Sequence, residues 1–330
     1  MRGRPTARLK VADRLKNMPA SHTDTLYILS AGHSGSTLLN LMLGCHPRAV
    51  AVSELTNLPG NILHNEPCTC GQRVLTCPFW RDVAARSATQ LPDILEHPRK
   101  LDLGFIDAPP SSPYRGSRAY RLGWRARRIA AYAWLIAGLA LPRRFGIRFT
   151  RAIESRLVLY DAIRAASGAQ VLVDASKEYL IGVATYLARP ATTRLILLVR
   201  EGRAVFYSNL KRGFGHAFSL RAWRNYYRNT LPLIARRVEP AHVLTVRYED
   251  LATDPERELQ RICAFAGLAW DPAMLDTASK VQHLTSGNNM RFRSDKRIKL
   301  DTAWRSELKE ADRRFFERRV GTLSRRLGYE

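Results

Sequence analysis

Two stretches of the chain carry residue types suited to gripping an anion. Gly32-His33-Ser34-Gly35-Ser36-Thr37 follows the apolar run Leu26 to Leu29 and precedes Leu38, Leu39, Leu41, Met42 and Leu43. That order reads as strand, glycine loop, helix. Glycines let the backbone approach a phosphate closely, and the first turn of a helix offers free N–H donors and the positive end of its dipole. Ser34, Ser36 and Thr37 add hydroxyl donors. The loop is not a Walker A sequence, because the lysine before its Ser/Thr is missing and its glycines lie closer together. The second stretch is Arg200, at the end of the apolar run Leu195 to Val199, with Ser208 eight positions on. A guanidinium at a strand end can fork onto a phosphate. Ser208 would lie about two turns into the following helix, near enough to share that anion. Taken singly, the first stretch also suits an ordinary Gly-Ser turn and the second a solvated helical face.

Together the two stretches resemble the sulfotransferase superfamily that uses 3′-phosphoadenosine-5′-phosphosulfate (PAPS). Ala31 to Leu39 is similar to its 5′-phosphosulfate loop, and Leu197 to Ser208 to its 3′-phosphate motif. Cys68-Thr69-Cys70-Gly71 with Cys77-Pro78-Phe79-Trp80 resembles a segment of bacterial members. Val173 to Lys177, Arg247 to Leu251 and Gly287 to Phe292 also look like family segments. The resemblance runs from about residue 24 to about residue 305. It implies a P-loop-NTPase-like, three-layer α/β fold with a central, mostly parallel sheet. It further implies one PAPS site, with PAP as the product, and transfer of a sulfuryl group to a hydroxyl. A carbohydrate, a glycolipid, a small metabolite or a tyrosine would each serve as acceptor. By the same resemblance Gly32, His33, Ser34, Gly35, Ser36, Thr37, Arg200 and Ser208 bind the nucleotide. Gly287, Asn288 and Arg291 would close over it as a basic lid, a solvated basic run being the other reading.

Sulfuryl transfer requires charge stabilisation on the leaving phosphate, donors to the sulfuryl oxygens, a base for the acceptor, and in-line positioning. No metal is required by this logic. Glu54 is the candidate base, placed by similarity to tyrosylprotein sulfotransferases; its alternative role is to complement a helix N-terminus. An unperturbed glutamate is a weak base, so the role calls for surroundings that raise its pKa. Lys177 is the candidate cation, and a surface lysine at a helix start is the alternative. Asp174 either positions Lys177 or belongs to structure alone. His33 departs from the family, whose members usually carry Arg or Lys there. Histidine is not dependably charged at neutral pH, so His33 is expected to donate a hydrogen bond while Lys177 carries more of the charge.

The elements that must position these groups are legible as alternating strands and helices, which imply a sheet covered on both faces. Short runs at Leu26–Leu29, Ala49–Val52, Val171–Asp174, Leu195–Val199 and Val243–Val246 read as strands. Helices are expected at Leu38–Leu43, Ala119 to about Leu141, Arg151–Ala166, Ala204–Leu210, Ala222–Ala235, Pro255–Ala266 and after Asp301. Ser53 is a candidate helix cap. In such sheets ligands bind beyond the carboxyl ends of the strands, where Ser30, Asp174 and Arg200 all fall. Residues 1–22 read as a basic arm. Residues 23–330 read as one sulfotransferase domain with a helical and loop insertion at about 91–150.

The chain has 330 residues, 45% of them hydrophobic, and a formal net charge of +24. The length suffices for a large core. The charge favours anionic partners such as a nucleotide, an acidic glycan or a membrane surface. Five cysteines do not make a disulfide framework. Cys68, Cys70 and Cys77 read as free structural thiols in preference to a disulfide or to a zinc site completed by His64, whose spacing is not that of a C-x2-C finger. There is no secretory h-region, and Ile129–Leu141 is about two-thirds of a bilayer span, so a cytoplasmic protein, either free or peripheral at the membrane, is expected. A P-loop-like nucleotide kinase or NTPase is the rival enzyme reading, but it leaves Arg200 and Ser208 without a task. A basic protein binding nucleic acid or a membrane surface is the remaining alternative.

Overall fold

A computed structural model gives the fold and describes residues 23–104, 118–138, 143–292 and 298–329. The basic arm at 1–22 lies outside the described residues. In chain order the main elements are β1 (Thr25–Ser30), α1 (Ser36–Gly44), β2 (Ala49–Ala51), α2 (Leu58–Leu63), α3 (Pro78–Ser87), α4 (Arg118–Ala137) and α5 (Arg143–Ser167). There follow β3 (Val171–Lys177), α6 (Tyr179–Ala188), β4 (Thr193–Val199), α7 (Gly202–Lys211), α8 (His216–Arg237), β5 (Val243–Arg247), α9 (Tyr248–Thr253), α10 (Pro255–Ala266), α11 (Trp304–Glu307) and α12 (Glu310–Arg326).

Among the described residues the strands form one sheet in the order β2-β3-β1-β4-β5, and every neighbouring pair is parallel. A parallel sheet is buried on both faces, which is why β1 and β4 read as unbroken apolar runs. Side-chain alternation splits them between two cores. Tyr27, Leu29, Leu195 and Leu197 pack with α6, α7 and α8 on one face. Leu26, Ile28, Ile196 and Leu198 pack with α1, α9 and α10 on the other. The three layers and the strand order make this a P-loop-like α/β fold. A third cluster, with Val52, Trp80, Val83, Leu159 and Tyr160, fills the space beyond β2 and β3.

The register sets the site. Leu29 aligns with Lys177, Ser30 with Leu198, and Val199 with Arg247. The carboxyl ends of β1, β3, β4 and β5 therefore open onto one edge, at the place where the chain order reverses around β1.

Two local expectations differ from the structure. The helix expected from Arg151 begins at Arg143, since buried Phe149 packs edge-on against Trp134 at 4.7 Å and carries the helix back past Gly146. Ser53 caps no helix: its backbone is left-handed, with φ 60°, and its hydroxyl donates to Ser286 O at 2.6 Å.

Beneath the site lies a buried charge pair. Arg156 on α5 and Asp174 on β3 are fully buried and ion-paired. Asp174 also accepts from the Tyr160 hydroxyl at 2.6 Å and from Ser176 N–H at 2.7 Å. Arg156 Nη2 donates to Thr56 Oγ1 at 2.7 Å and to Leu103 O at 3.0 Å. Asp174 is thus a structural anchor with no direct contact to Lys177 among its hydrogen bonds. Removing one member strands the other's charge in a dry core. Asp174→Ala is expected to cost about 3–5 kcal/mol of folding stability, measured by urea denaturation; a loss below about 1 kcal/mol would mean that the pair is not desolvated as described.

Candidate functional site

At the carboxyl edge of the sheet lies a cavity of about 670 Å³, walled by Gly32, His33, Gly35, Ser36, Thr37 and Leu38 on the loop-and-helix side. Glu54, Lys177, Arg200, Ser208, Arg212 and Tyr248 form a second wall, and Gly287, Asn288, Met290, Lys299 and Asp301 a third. Four of these residues are cationic (Lys177, Arg200, Arg212 and Lys299) and two are carboxylates, so the cavity suits an anion.

The loop owes its shape to close packing. Gly35 precedes α1 with φ 89°, and a Cβ there would lie 2.4 Å from the Tyr248 ring. A side chain at this position would be both strained and obstructed. Tyr248 in turn lies under the Arg200 guanidinium, 4.4 Å from ring centroid to Cζ, a cation–π contact that holds the fork flat. Arg200 is 7% exposed. Its Nη1 donates to His33 O and its Nη2 to Asp301, both at 2.9 Å.

Glu54 and Lys177 meet directly as an ion pair, each side chain less than a quarter exposed. Asn57 Nδ2 donates to the second Glu54 oxygen at 3.1 Å, and the Tyr226 hydroxyl donates to Lys177 O at 2.7 Å. Backbone strain gathers here: His33, Ser53 and Lys177 all have positive φ, at 63°, 60° and 67°. Such conformations persist only where surrounding contacts impose them, and they concentrate at functional sites.

His33 carries no dependable charge. Burial chiefly, then the fields of Arg212, Lys177 and Arg200, push its pKa down from 6.5 to about 4. The imidazole is therefore neutral at pH 7 in the free protein, able to donate from one ring nitrogen and accept at the other.

The structure brings together Gly32, His33, Gly35, Ser36, Thr37, Glu54, Lys177, Arg200, Ser208, Gly287 and Asn288 around one cavity. It does not bring Ser34 or Arg291 to that wall. Ser34 is fully buried beneath the loop. Arg291 is 8% exposed, donates to Gly287 O and stacks on Phe292, with burial, Glu66 and Glu54 shaping its environment. Gly287 and Asn288 are tied to the loop instead: Asn288 N–H donates to Thr37 Oγ1 at 3.2 Å. Sequence reasoning missed Arg212, Tyr248, Lys299 and Asp301. Tyr248 was signalled by its place directly after a strand; the others sit in basic or loop stretches with no local signature.

His33 gives a pH test. Its folded-state pKa lies below its unfolded value, so the unfolded chain takes up the proton first. Its contribution to folding stability is intact above about 6.5 and is lost as pH falls toward about 4. NMR titration of the free protein is expected to place the His33 midpoint near 4, and His33→Asn to flatten the stability slope across that window. A midpoint at or above 6.5 would contradict the burial argument.

Residues 119–272 match a family model described as the sulfotransferase family. No curated protein matches the sequence. Among solved structures, the sulfotransferase domain from the curacin biosynthetic pathway is 19% identical with a TM-score of 0.45, covering 94% of this chain and 99% of its own. The sulfotransferase domain of the Synechococcus PCC 7002 olefin synthase is 21% identical with a TM-score of 0.44, covering 93% and 97%. Mouse sulfotransferase SULT7A1, complexed with PAP, is 12% identical with a TM-score of 0.36, covering 93% and 86%. The stretch that resembles the sulfotransferase family carries Lys177, Arg200, Ser208 and Tyr248, four of the residues that line the cavity.

Proposed function

We propose that this chain transfers a sulfuryl group from PAPS to a hydroxyl acceptor. The observation that carries the reading is the convergence of two anion-holding devices on one cavity: the loop at Gly32–Thr37 with the start of α1, and Arg200 with Ser208. PAPS has two anionic ends, a 3′-phosphate and a 5′-phosphosulfate. A helix N-terminus suits the second, and a flat guanidinium beside a hydroxyl suits the first. A nucleotide lacking the 3′-phosphate leaves Arg200 and Ser208 unused.

In this reading Lys177 and Glu54 divide the chemistry. The donor's bridging oxygen competes for Lys177, drawing the ammonium away from the carboxylate. Glu54 then accepts the proton of the acceptor hydroxyl as its oxygen attacks sulfur. The new S–O bond forms while the bond from sulfur to the phosphate oxygen breaks, and PAP leaves with the charge held by Lys177 and the loop N–H groups. His33 supplies a hydrogen bond to the donor. No helix among the described residues is long and apolar enough to cross a membrane.

Calorimetry tests the donor half. PAP is expected to bind far more tightly than 5′-AMP, and Arg200→Ala to weaken PAP by about 10–100-fold, as for a hydrogen bond to a charged group, with little effect on 5′-AMP. Equal affinities for the two nucleotides would refute the 3′-phosphate assignment. Labelled-PAPS transfer tests the other half: Glu54→Gln is expected to lower kcat about 100-fold or more with nucleotide affinity kept. Full turnover in that variant would remove Glu54 as the base.

A further inference from the structure

Outside the cavity, three cysteines and one histidine converge from distant parts of the chain. The ligand atoms of Cys68, Cys70, Cys77 and His283 all lie within 4.8 Å of one another. Cys70 and Cys77 sulfurs are 3.6 Å apart, and Cys77 and Cys68 sulfurs 3.9 Å. His283 Nδ1 lies 3.3 Å from the Cys77 sulfur and 4.0 Å from that of Cys68. A tetrahedron with Zn–S near 2.3 Å and Zn–N near 2.0 Å has S–S edges of about 3.8 Å and S–N edges of about 3.5 Å. The observed edges scatter around those values. A disulfide, with sulfurs about 2.05 Å apart, would use two of the thiols and leave the third and the imidazole unexplained.

We propose that Cys68, Cys70, Cys77 and His283 hold one structural zinc ion. The fourth ligand is His283, not His64, which is exposed and lies outside the cluster. This proposal departs from the expectation of free structural thiols. Sequence spacing could not show this, because His283 stands 206 positions beyond Cys77. Three thiolates and an imidazole are a soft, closed donor set of the kind that structural zinc takes.

The surroundings are built to hold the set. Cys68 N–H donates to Gln72 O at 2.8 Å and Gly71 N–H to Cys68 O at 3.1 Å, with Gly71 at φ 88°, so the Cys68–Cys70 turn is pinned by its own backbone. Cys77 stands immediately before α3, where a thiolate is favoured by the helix dipole. Phe79 stacks on the His283 ring at 4.6 Å and 11°, which fixes the plane of the imidazole. Trp80 Nε1 donates to His283 O at 3.1 Å. Thr69 N–H donates to Leu284 O at 3.1 Å, and Leu284 N–H to Thr69 Oγ1 at 2.9 Å.

The ion would staple the turn and helix at 68–80 to the segment that begins at Gln282. That segment continues into Ser286, held by Ser53, and then into Gly287 and Asn288 on the cavity wall. The proposal does not depend on which nucleotide the cavity takes.

The test is metal analysis of the full chain, purified without a metal-binding tag. One zinc per chain is expected, with Cys77→Ser and His283→Ala each losing most of it and His64→Ala retaining all of it. The wild-type protein decides the matter if the ligand variants fail to fold. Exchanged with cobalt, it should show thiolate-to-cobalt charge transfer and the intense visible bands of a tetrahedral ion. Chelation should lower Tm, and added zinc should restore it. Folded wild-type protein that holds little zinc and takes up none when it is added would overturn the proposal, as would a Cys70–Cys77 disulfide found by mass spectrometry of the native protein.

Discussion

The Arg156–Asp174 pair governs how this fold ends in a site. Both side chains are fully buried, so neither can move without leaving the other's charge unpaired. Asp174 fixes Ser176, and Ser176 Oγ accepts from Thr56 N–H at 3.2 Å. Arg156 reaches Thr56 from the other side. The turn that carries Glu54 and the strand end that carries Lys177 are therefore fastened to one buried point. Such a pair adds little to net stability compared with an apolar packing, but it fixes geometry, and here it fixes the relative placement of the two groups that meet at the cavity.

The left-handed backbone at His33, Ser53 and Lys177 follows from the same tight assembly. Each residue marks a place where a strand end turns sharply to present a group to the cavity or to a neighbouring segment. The turns are held by specific bonds: Arg200 to His33 O, Ser53 to Ser286 O, and Tyr226 to Lys177 O. Each bond ties a strained residue to a different part of the chain, so the strain is distributed over the whole carboxyl edge of the sheet.

Much of the architecture was legible because parallel strands buried on both faces leave continuous apolar runs, as at Leu26–Leu29 and Leu195–Val199. The glycine loop and Arg200 could be found because each pairs a special residue with a strand end. Groups supplied by side chains from irregular segments left no such trace. Lys299 and Asp301 reach the cavity only because the chain returns across the sheet edge, and Arg212 only because α7 ends there. The same reason hid His283 from the cysteines it joins. Ser34 and Arg291 are buried although His33, Gly35 and Met290 beside them line the cavity. Periodicity reports which residues share an element and a face; it does not report which distant segments an edge gathers.

The sheet order also bears on how the chain comes to be folded during synthesis. β1 leaves the ribosome well before its two neighbours, β3 and β4, and Thr25 aligns with Leu172 on one side and Thr193 on the other. Closing so long a stretch of chain delays the first productive pairing. Until β3 emerges, Leu26 to Leu29 is an apolar ribbon with both hydrogen-bonding edges bare. The strand order therefore leaves those edges without their native partners until β3 and β4 have been made, and bare apolar strand edges are where chains associate wrongly.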